Sequence, residues 1–265
     1  MIKLDKRIIL FIVIVVGCGW LGKIIDLILV EQPKGQTLGF LIWLIMPFIF
    51  SVLLAVVHKS KYKTLGLKPR LKENGKWYFV SFITFPGIAI LTIGMGLITG
   101  SIDSSQFEIK GFVTTLFIWF ISNFFRTILE EMAWRGFLQE RLIYLKVNDW
   151  LVYIITGTVW SLWHIPYYLF YYEGNSVEMI VSSFIILYSW SILFSEVYRV
   201  TRTIWPCVLL HATANAVQYT MLENYLVINE KREFIFSPTS SIVACAIAII
   251  LGLLIRKYRL SRKSL

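Results

Sequence analysis

Two adjacent glutamates and two histidines lie in or beside long apolar runs, where ionisable side chains are costly and usually functional. Glu130 and Glu131 close one run, His164 lies in the next, and His211 lies in a later run with Asn215 four residues beyond it. These residue types suit hydrolysis of a peptide bond by an activated water. A desolvated Glu can act as a base, His can position water or stabilise charge, and Asn can donate to an oxyanion.

The spacing around the glutamates predicts two ion pairs on one helix. At 3.6 residues per turn, Arg126 shares a face with Glu130, and Arg135 shares the next face with Glu131. The two arginines would then hold both carboxylates ionised although the carboxylates are adjacent. The cluster by itself fits an ion-pair ladder at a helix end as well as it fits a catalytic site.

The histidines favour the catalytic interpretation. Trp160 precedes His164 by four residues and can pack against its ring, while His211 and Asn215 project from one helix face. An Asn in a membrane span is costly unless it has a partner. Pro166 leaves the carbonyl group of the residue four positions earlier without its helical donor, an irregularity that membrane proteins tolerate around a cavity.

The composition indicates a polytopic membrane protein. Of 265 residues, 57% are hydrophobic and 16% are charged, whereas a soluble domain has about 25% charged residues. The net charge of +10 is explained by basic cytoplasmic loops rather than by nucleic-acid binding. Cys18, Cys207 and Cys245 all lie in apolar runs, so we expect buried thiols and no disulfide framework.

Eight apolar runs predict an all-α integral membrane protein with about eight transmembrane helices in one domain over residues 1–265. The runs cover residues 8–30, 38–57, 77–99, 112–130, 151–172, 179–198, 205–226 and 239–255. Twenty Lys and Arg residues then fall in loops on one side, and four (Lys34, Lys110, Lys231 and Arg232) fall on the other. The bias predicts that both termini lie in the cytoplasm. The basic loop 58–76 contributes to it, and binding of anionic lipid headgroups is an alternative role for this loop.

The depth of the polar residues predicts one pocket in the cytoplasmic half of the bilayer. At 1.5 Å per residue, His211 and Asn215 lie about 8 and 14 Å along the seventh span, and His164 lies about 20 Å along the fifth. Glu130 closes the fourth span at its cytoplasmic end. The segment 135–146 mixes apolar and charged residues and is expected to form a helix along the cytoplasmic interface.

Three motifs in order along the chain resemble those of the CPBP (Abi) family of intramembrane proteases, which includes the type II CAAX prenyl endopeptidases. They are Glu130-Glu131-Met132-Ala133-Trp134-Arg135, then Trp160-Ser161-Leu162-Trp163-His164, then His211-Ala212-Thr213-Ala214-Asn215. The resemblance covers a catalytic core of about residues 112–226. The second motif usually carries Phe where this chain has Trp160, a change that alters the shape of the pocket but keeps an aromatic ring.

The resemblance implies roles for individual residues. Glu130 would be the general base that activates water, helped by His164, and His211 with Asn215 would stabilise the oxyanion. Glu131, Arg135 and Trp160 would support the site. No cofactor is expected, and the alternative is a zinc ion bound by Glu130, His164 and His211.

The function predicted is an intramembrane endopeptidase, with a membrane-associated protein or peptide as substrate and the lipid bilayer as its other partner. Maturation of a bacteriocin or pheromone and self-immunity are specific forms of this function, and a bacterial plasma membrane is the expected location. The alternative is a non-catalytic immunity or scaffold protein of the same fold. A transporter is a third class, but the chain lacks the paired halves that many transporters show.

Overall fold

The computed structural model describes residues 5–29, 31–33, 37–57, 65–172, 176–223 and 225–262. These residues are almost entirely helical, which confirms the predicted all-α class. The helices are α1 Lys6–Ile28, α2 Leu38–Val57, α3 Leu71–Ile98, α4 Ile109–Glu131, a π-helical segment Met132–Gln139, α5 Glu140–Tyr144, α6 Asp149–Phe170, α7 Ser176–Thr201, α8 Trp205–Met221, α9 Glu233–Phe236 and α10 Ile242–Ser261. Two short strands, β1 Ile102–Asp103 and β2 Val227–Ile228, pair in antiparallel fashion, with Ile102 opposite Ile228.

Each of the eight predicted apolar runs falls on one of the long helices. Among the described residues, five helices are long and apolar enough to cross a membrane: α1, α2, α3, the continuous helix Ile109–Tyr144, and Val177–Thr201 of α7. They make the chain a multi-pass integral membrane protein. Of the other three, α8 has only 17 residues, and α10 carries several basic residues in its last turns. The number of eight crossings therefore stays a prediction.

Side chains placed at helix starts explain where several helices begin. Asp5 accepts a hydrogen bond from the backbone N–H of Arg7 at 3.1 Å and so caps α1. Asn148 caps α6 in the same way through the N–H of Leu151 at 3.0 Å. Such caps satisfy backbone donors that have no partner within the helix.

Some predictions fall partly outside the described residues. Residues 58–64 of the basic loop belong to this group, as do six of the counted basic residues: Lys3, Lys34, Lys59, Lys61, Lys63 and Lys263. The rest of the loop leads into α3, which begins at Leu71, earlier than the predicted apolar run. The cytoplasmic placement of the termini stays a prediction.

The chain divides into two compact units, each built from two chain segments, and the single-domain organisation stays a prediction. The first unit consists of Met1–Leu67 with Leu129–Ser191, and the second of Lys68–Ile128 with Ile192–Leu265. The division falls within α4 and within α7, so both helices contribute to both units.

In the first unit, α1 packs against α2 and α6, and the π-helical segment packs against α2 and α6. Glycines allow the close approach: a Cβ atom on Gly19 would lie 2.6 Å from the Cβ of Pro166 and 2.9 Å from the ring of Trp43. Small residues serve this purpose where lipid supplies no hydrophobic driving force between helices. The helix that carries His164 is therefore held closely against α1.

A carboxylate ties the same three helices together at the end of α1. Asp26 accepts hydrogen bonds from the hydroxyl of Thr37 at 2.7 Å, the N–H of Gly39 at 2.8 Å, the amide of Gln32 at 3.1 Å and the hydroxyl of Tyr171 at 3.0 Å. Four donors satisfy the carboxylate without a basic partner. Since Tyr171 follows α6 directly, the contact sets the position of that helix end.

In the second unit, α3 packs against α8 and α10. Arg259 of α10 donates two hydrogen bonds, at 2.6 and 2.9 Å, to the buried carboxylate of Glu196 in α7. A bidentate Arg–carboxylate pair is geometrically specific. It joins α10 to the part of α7 that belongs to this unit.

Candidate active site

The two adjacent glutamates lie at the point where α4 changes into a π-helix. Glu130 is 2% exposed and Glu131 is fully buried, and the π-helical segment starts at the next residue. π-Helical turns are rare and occur frequently at functional sites. All eight residues of this segment are buried.

The segment 135–146 is consequently not a separate interfacial helix, and that prediction is wrong. Its first five residues complete the π-helix, and α5 continues the same helix to Tyr144. A contact with Leu65, which lies before α3, accounts for part of the burial: a Cβ atom on Gly136 would overlap the backbone of Leu65. Only glycine permits this approach, so the backbone of Leu65 packs directly on the π-helical segment.

The predicted pair between Glu131 and Arg135 is confirmed. The guanidinium Nη1 of Arg135 lies 2.9 Å from a carboxylate oxygen of Glu131, and both side chains are at most 1% exposed. A buried charge requires such a partner, because removing one member of a buried pair leaves the other uncompensated. The geometry gives the pair an organising role.

Trp160 connects this ion pair to His164. The guanidinium carbon of Arg135 lies 4.5 Å from the centroid of the Trp160 ring, within the range of a cation–π interaction. The same ring packs against the His164 ring at a centroid distance of 6.4 Å, as the spacing predicted. One tryptophan therefore contacts residues of both motifs.

A backbone contact determines the protonation of one His164 ring nitrogen. Nδ1 lies 3.0 Å from the carbonyl oxygen of Trp160, and a carbonyl oxygen can only accept a hydrogen bond. Nδ1 must therefore carry a proton, and in the neutral imidazole the lone pair is on Nε2. A histidine in this tautomer can accept a hydrogen bond from a water through Nε2.

Aromatic rings enclose His164. Trp163 meets it edge-on at 4.6 Å, Tyr168 stacks on it at 5.8 Å, and Trp43 of α2 contacts it at 6.0 Å. Trp43 and Trp163 also stack at 4.4 Å, and each indole N–H donates to the other residue's carbonyl oxygen, at 2.8 and 3.1 Å. These reciprocal bonds hold α6 against α2 at the level of the histidine.

His211 and Asn215 lie on α8 in the second unit. Pro206 stands in the first turn of the helix, where a missing N–H costs nothing. His211 is 3% exposed, and its ring meets Phe194 edge-on at 5.9 Å. Asn215 is 9% exposed, and its amide nitrogen donates to the amide oxygen of Asn123 at 3.3 Å.

Asn123 is a site residue that the motifs did not reveal. It lies in α4, two turns before Glu130, is 3% exposed, and donates from its own amide nitrogen to the carbonyl oxygen of Trp119 at 2.8 Å. An Asn within an apolar run was a signal in the sequence, because such a side chain needs a partner. The sequence alone did not show that its partner is Asn215.

Further contacts join the same two helices next to this pair. Arg126 donates to the hydroxyl of Tyr219 at 3.2 Å, and the ring of Tyr219 stacks on Trp119 at 4.8 Å. Tyr219 follows Asn215 by one helical turn, so the polar face of α8 extends beyond the motif. The predicted pairing of Arg126 with Glu130 stays a prediction.

The structure thus brings the predicted residues together in two groups. Glu131, Arg135, Trp160 and His164 form a connected series of contacts in the first unit, with Glu130 beside Glu131. His211 and Asn215 share a face of α8 in the second unit. The joint pocket of both groups stays a prediction. Among the residues that the structure describes, no three His, Cys, Asp or Glu side chains form a metal-binding group, and the cofactor prediction remains untested.

The comparison with known proteins covers both groups. Residues 112–217 match the family described as "Type II CAAX prenyl endopeptidase Rce1-like". This segment is therefore similar to the CAAX endopeptidases over the part of the chain that carries the three motifs. CAAX prenyl protease 2 of Methanococcus maripaludis is 31% identical over 138 residues, which make up 46% of this chain and 47% of that protein. The chain spans about half the length of the curated relative that it matches, and the predicted resemblance is confirmed for the core that contains the motifs.

Proposed function

We propose that the chain is an intramembrane endopeptidase that cuts a membrane-associated protein or peptide by means of a water activated by Glu130. The observation that carries the proposal is the burial of Glu130, which is 2% exposed and lies directly before Glu131 and the π-helical segment. We assign Glu130 to proton transfer because it holds the first position of the Glu-Glu motif, and we assign Glu131, which is bound by Arg135 at 2.9 Å, an organising role. A buried carboxylate is a suitable general base because it is poorly solvated.

In the proposed reaction, the oxygen of a water attacks the carbonyl carbon of the scissile peptide bond while Glu130 takes a proton from that water. The carbonyl oxygen becomes an oxyanion as the tetrahedral intermediate forms. The C–N bond then breaks, and the amine leaves with the proton that Glu130 held. The products are a new carboxyl terminus and a new amino terminus.

The other motif residues act around this transfer. His164 carries a proton on Nδ1, which donates to the Trp160 carbonyl oxygen. Its Nε2 orients the water by accepting a hydrogen bond from the O–H that does not donate to Glu130. His211 and Asn215 donate to the oxyanion, where preorganised donors are worth most. Glu131, Arg135 and Trp160 keep His164 in place through the contacts of the Trp160 ring.

The proposed reaction uses no metal, and a zinc site formed by Glu130, His164 and His211 is the alternative. Asn is a poor zinc ligand, and Asn215 belongs to the motif that carries His211. Incubation with a strong chelator separates the two mechanisms. An unchanged rate supports the metal-free mechanism, whereas a lost rate that zinc restores supports the metal mechanism.

We also propose that eight helices cross a bacterial plasma membrane with both termini in the cytoplasm, so that the site lies in the cytoplasmic half of the bilayer. The excess of Lys and Arg in alternate loops supports this orientation. Reporter fusions at the C-terminus and at Lys231 should report opposite sides of the membrane. The same side for both would contradict the topology.

The membrane setting and the relative's name support several candidate substrates. A prenylated C-terminal peptide is suggested by the relative's name, and a bacteriocin or pheromone precursor would present the same kind of membrane-bound peptide bond. Self-immunity by cleavage of an incoming peptide would use the same chemistry. Prenylated and unprenylated forms of one peptide, compared at equal concentration, test the first of these.

The experiment that tests the function compares peptide termini in membranes that carry the wild type, Glu130→Gln or Glu223→Gln. Glu223 is exposed just after α8 and provides a matched loss of one carboxylate. New termini with the wild type and Glu223→Gln, but not with Glu130→Gln, support the peptidase. Identical termini in all three membranes, with equal accumulation of the proteins, would leave the non-catalytic scaffold.

A further inference from the structure

Asn123 is a buried carboxamide within the apolar part of α4, and both ends of its amide have partners in the second unit. Its nitrogen donates to the backbone carbonyl oxygen of Trp119 at 2.8 Å, and its oxygen accepts from the amide nitrogen of Asn215 at 3.3 Å. The chain of bonds therefore runs from a backbone carbonyl through one side-chain amide to a second. Asn215 is the residue that we assign to the oxyanion.

The carbonyl oxygen at the start of this chain determines the orientation of both amides. A backbone carbonyl can only accept, so the group of Asn123 that faces Trp119 must be the NH2 group. The oxygen of Asn123 then faces Asn215, and this oxygen too can only accept. The group of Asn215 that faces Asn123 must in turn be its NH2 group.

Rotation of either amide by half a turn would place two oxygens against each other. In a buried, poorly solvated setting, two facing oxygens have no donor between them and the contact is strongly unfavourable. An Asn side chain with no neighbouring hydrogen bonds can place its oxygen and nitrogen in either of two orientations. The hydrogen bonds with Asn123 and Trp119 allow Asn215 only one of these two orientations.

We propose that Asn123 is a positioning residue that keeps the amide nitrogen of Asn215, rather than its oxygen, directed for donation to the oxyanion. One N–H of Asn215 is used by Asn123, and the second N–H of the same nitrogen is the donor for the reaction. The inference rests on the proposed function and adds a residue that lies outside all three motifs.

A purely structural role for Asn123 makes different predictions. Hydrogen bonds between helices also stabilise membrane proteins, so the loss of Asn123 could lower stability alone. In that case its effect on the rate would not depend on Asn215. A role through Asn215 requires that the two effects are not additive.

A double-mutant cycle with Asn123→Leu and Asn215→Ala tests this. The substrate is a synthetic peptide that spans the most abundant terminus produced only when Glu130 is present. We expect Asn123→Leu to lower kcat by about 10- to 100-fold with little change in KM, because part of an oxyanion contact is lost. In the Asn215→Ala background the same change should lower kcat less than about twofold.

The matched control is Asn74→Leu. Asn74 is 6% exposed in α3 and donates to the carbonyl oxygen of Thr201 at 3.0 Å in the same unit. The Asn74→Leu variant should lower the free energy of unfolding about as much as Asn123→Leu does and leave kcat unchanged. If Asn123→Leu does not accumulate, Asn123→Asp takes its place, because it keeps the volume of the side chain.

Asn123→Asp also provides a pH signature. A protonated Asp can donate to the Trp119 carbonyl and accept from Asn215, whereas the ionised form can only accept. We expect this variant to gain activity towards low pH, relative to the wild type at the same pH. Asn123→Leu should show no such gain.

The outcomes separate the inference from the function on which it rests. An absence of Glu130-dependent termini overturns the proposed function and the inference with it. If termini depend on Glu130 but Asn123→Leu has a normal kcat, the inference alone is overturned. The same holds if Asn123→Leu lowers kcat equally in the wild type and in Asn215→Ala. Full activity of Asn215→Ala also overturns it. A rate loss confined to the background with Asn215 supports it.

Discussion

The two groups of site residues are held by different kinds of interaction. In the first unit, aromatic rings surround His164, and one of them contacts a buried ion pair between residues four apart on one helix. In the second unit, neutral amides hold Asn215, and its partner Asn123 lies 92 residues away in the chain. Charge is thus balanced locally, whereas the orientation of the proposed oxyanion donor depends on a tertiary contact.

The difference matters because the two kinds of support fail differently. A buried charge that loses its partner costs several kcal/mol and affects folding. A buried neutral amide that loses its partner costs about 1–3 kcal/mol, which is less than the cost for a charge but enough to misdirect a catalytic group. We therefore expect changes in the Glu131–Arg135 ion pair to act mainly on stability and changes in the amide pair of the second group to act mainly on the rate.

The largest expected effect is on the ion pair. Glu131→Gln should lower the free energy of unfolding by about 3–5 kcal/mol, since the buried charge of Arg135 would lose the carboxylate that lies 2.9 Å away. Reversible unfolding in mixed micelles measures this. The double variant Glu131→Gln, Arg135→Met should be more stable than the single one. If it is less stable, the pair is not the reason for the loss.

Asn215→Ala should have the opposite profile. We expect kcat to fall by about 100- to 1,000-fold, the cost of losing one oxyanion donor, while the free energy of unfolding falls by about 1–3 kcal/mol, because the buried amide oxygen of Asn123 loses its donor. Steady-state kinetics and unfolding of the same preparation give both numbers. A large loss of stability with a normal rate per folded molecule would abolish the contrast between the two groups.

Trp160→Phe should have a smaller effect on both quantities. The ring that contacts Arg135 and His164 becomes smaller but stays aromatic, so we expect a change of about 0.5–1 kcal/mol in stability and a rate within about tenfold of the wild type. Trp160→Leu removes the π-system and is the matched comparison. Equal behaviour of the Phe and Leu variants would show that the cation–π contact at 4.5 Å contributes nothing.

The smallest effect concerns Asp5, which lies before α1 and outside the spans. Burial by itself raises the pKa of Asp5, but the N–H of Arg7 and the guanidinium of Arg141 outweigh it, so the pKa is lowered. A lowered pKa means that Asp5 contributes stability above the pKa of the unfolded chain and loses this contribution as the pH falls through its folded value.

Asp5→Asn should therefore lower stability by about 1 kcal/mol or less at neutral pH and have no effect below the folded pKa of Asp5. Unfolding of both proteins over the acidic range gives the difference at each pH. A difference that does not depend on pH would assign the effect to the helix cap rather than to the charge.

The sequence predicted the helices well and their irregularities less well. All eight apolar runs fall on helices, because hydrophobic length is a strong signal for a membrane segment. The π-helix that follows Glu131 was not predicted, and the interfacial helix expected over residues 135–146 does not exist as a separate element. A π-turn depends on how the segment packs. At Gly136, for example, a side chain would overlap the backbone of Leu65.

The same limit applies to the site. The spacing of Glu131 and Arg135 predicted their pair, since residues four apart on a helix are neighbours whatever the fold. The spacing of Trp160 and His164 likewise predicted their contact. The contact of Trp160 with Arg135 was not predicted, because it joins two helices and depends on their packing.

By itself, the amino-acid sequence determined the all-α membrane class, the order of the motifs and two contacts within a single helical turn, that of Glu131 with Arg135 and that of Trp160 with His164. These follow from hydrophobic length and from the period of the helix. Only the tertiary structure decided which amide faces Asn215 and what fills the space beside Gly136. Hydrogen bonds are directional, and their direction depends on groups that are distant in the chain until the helices pack.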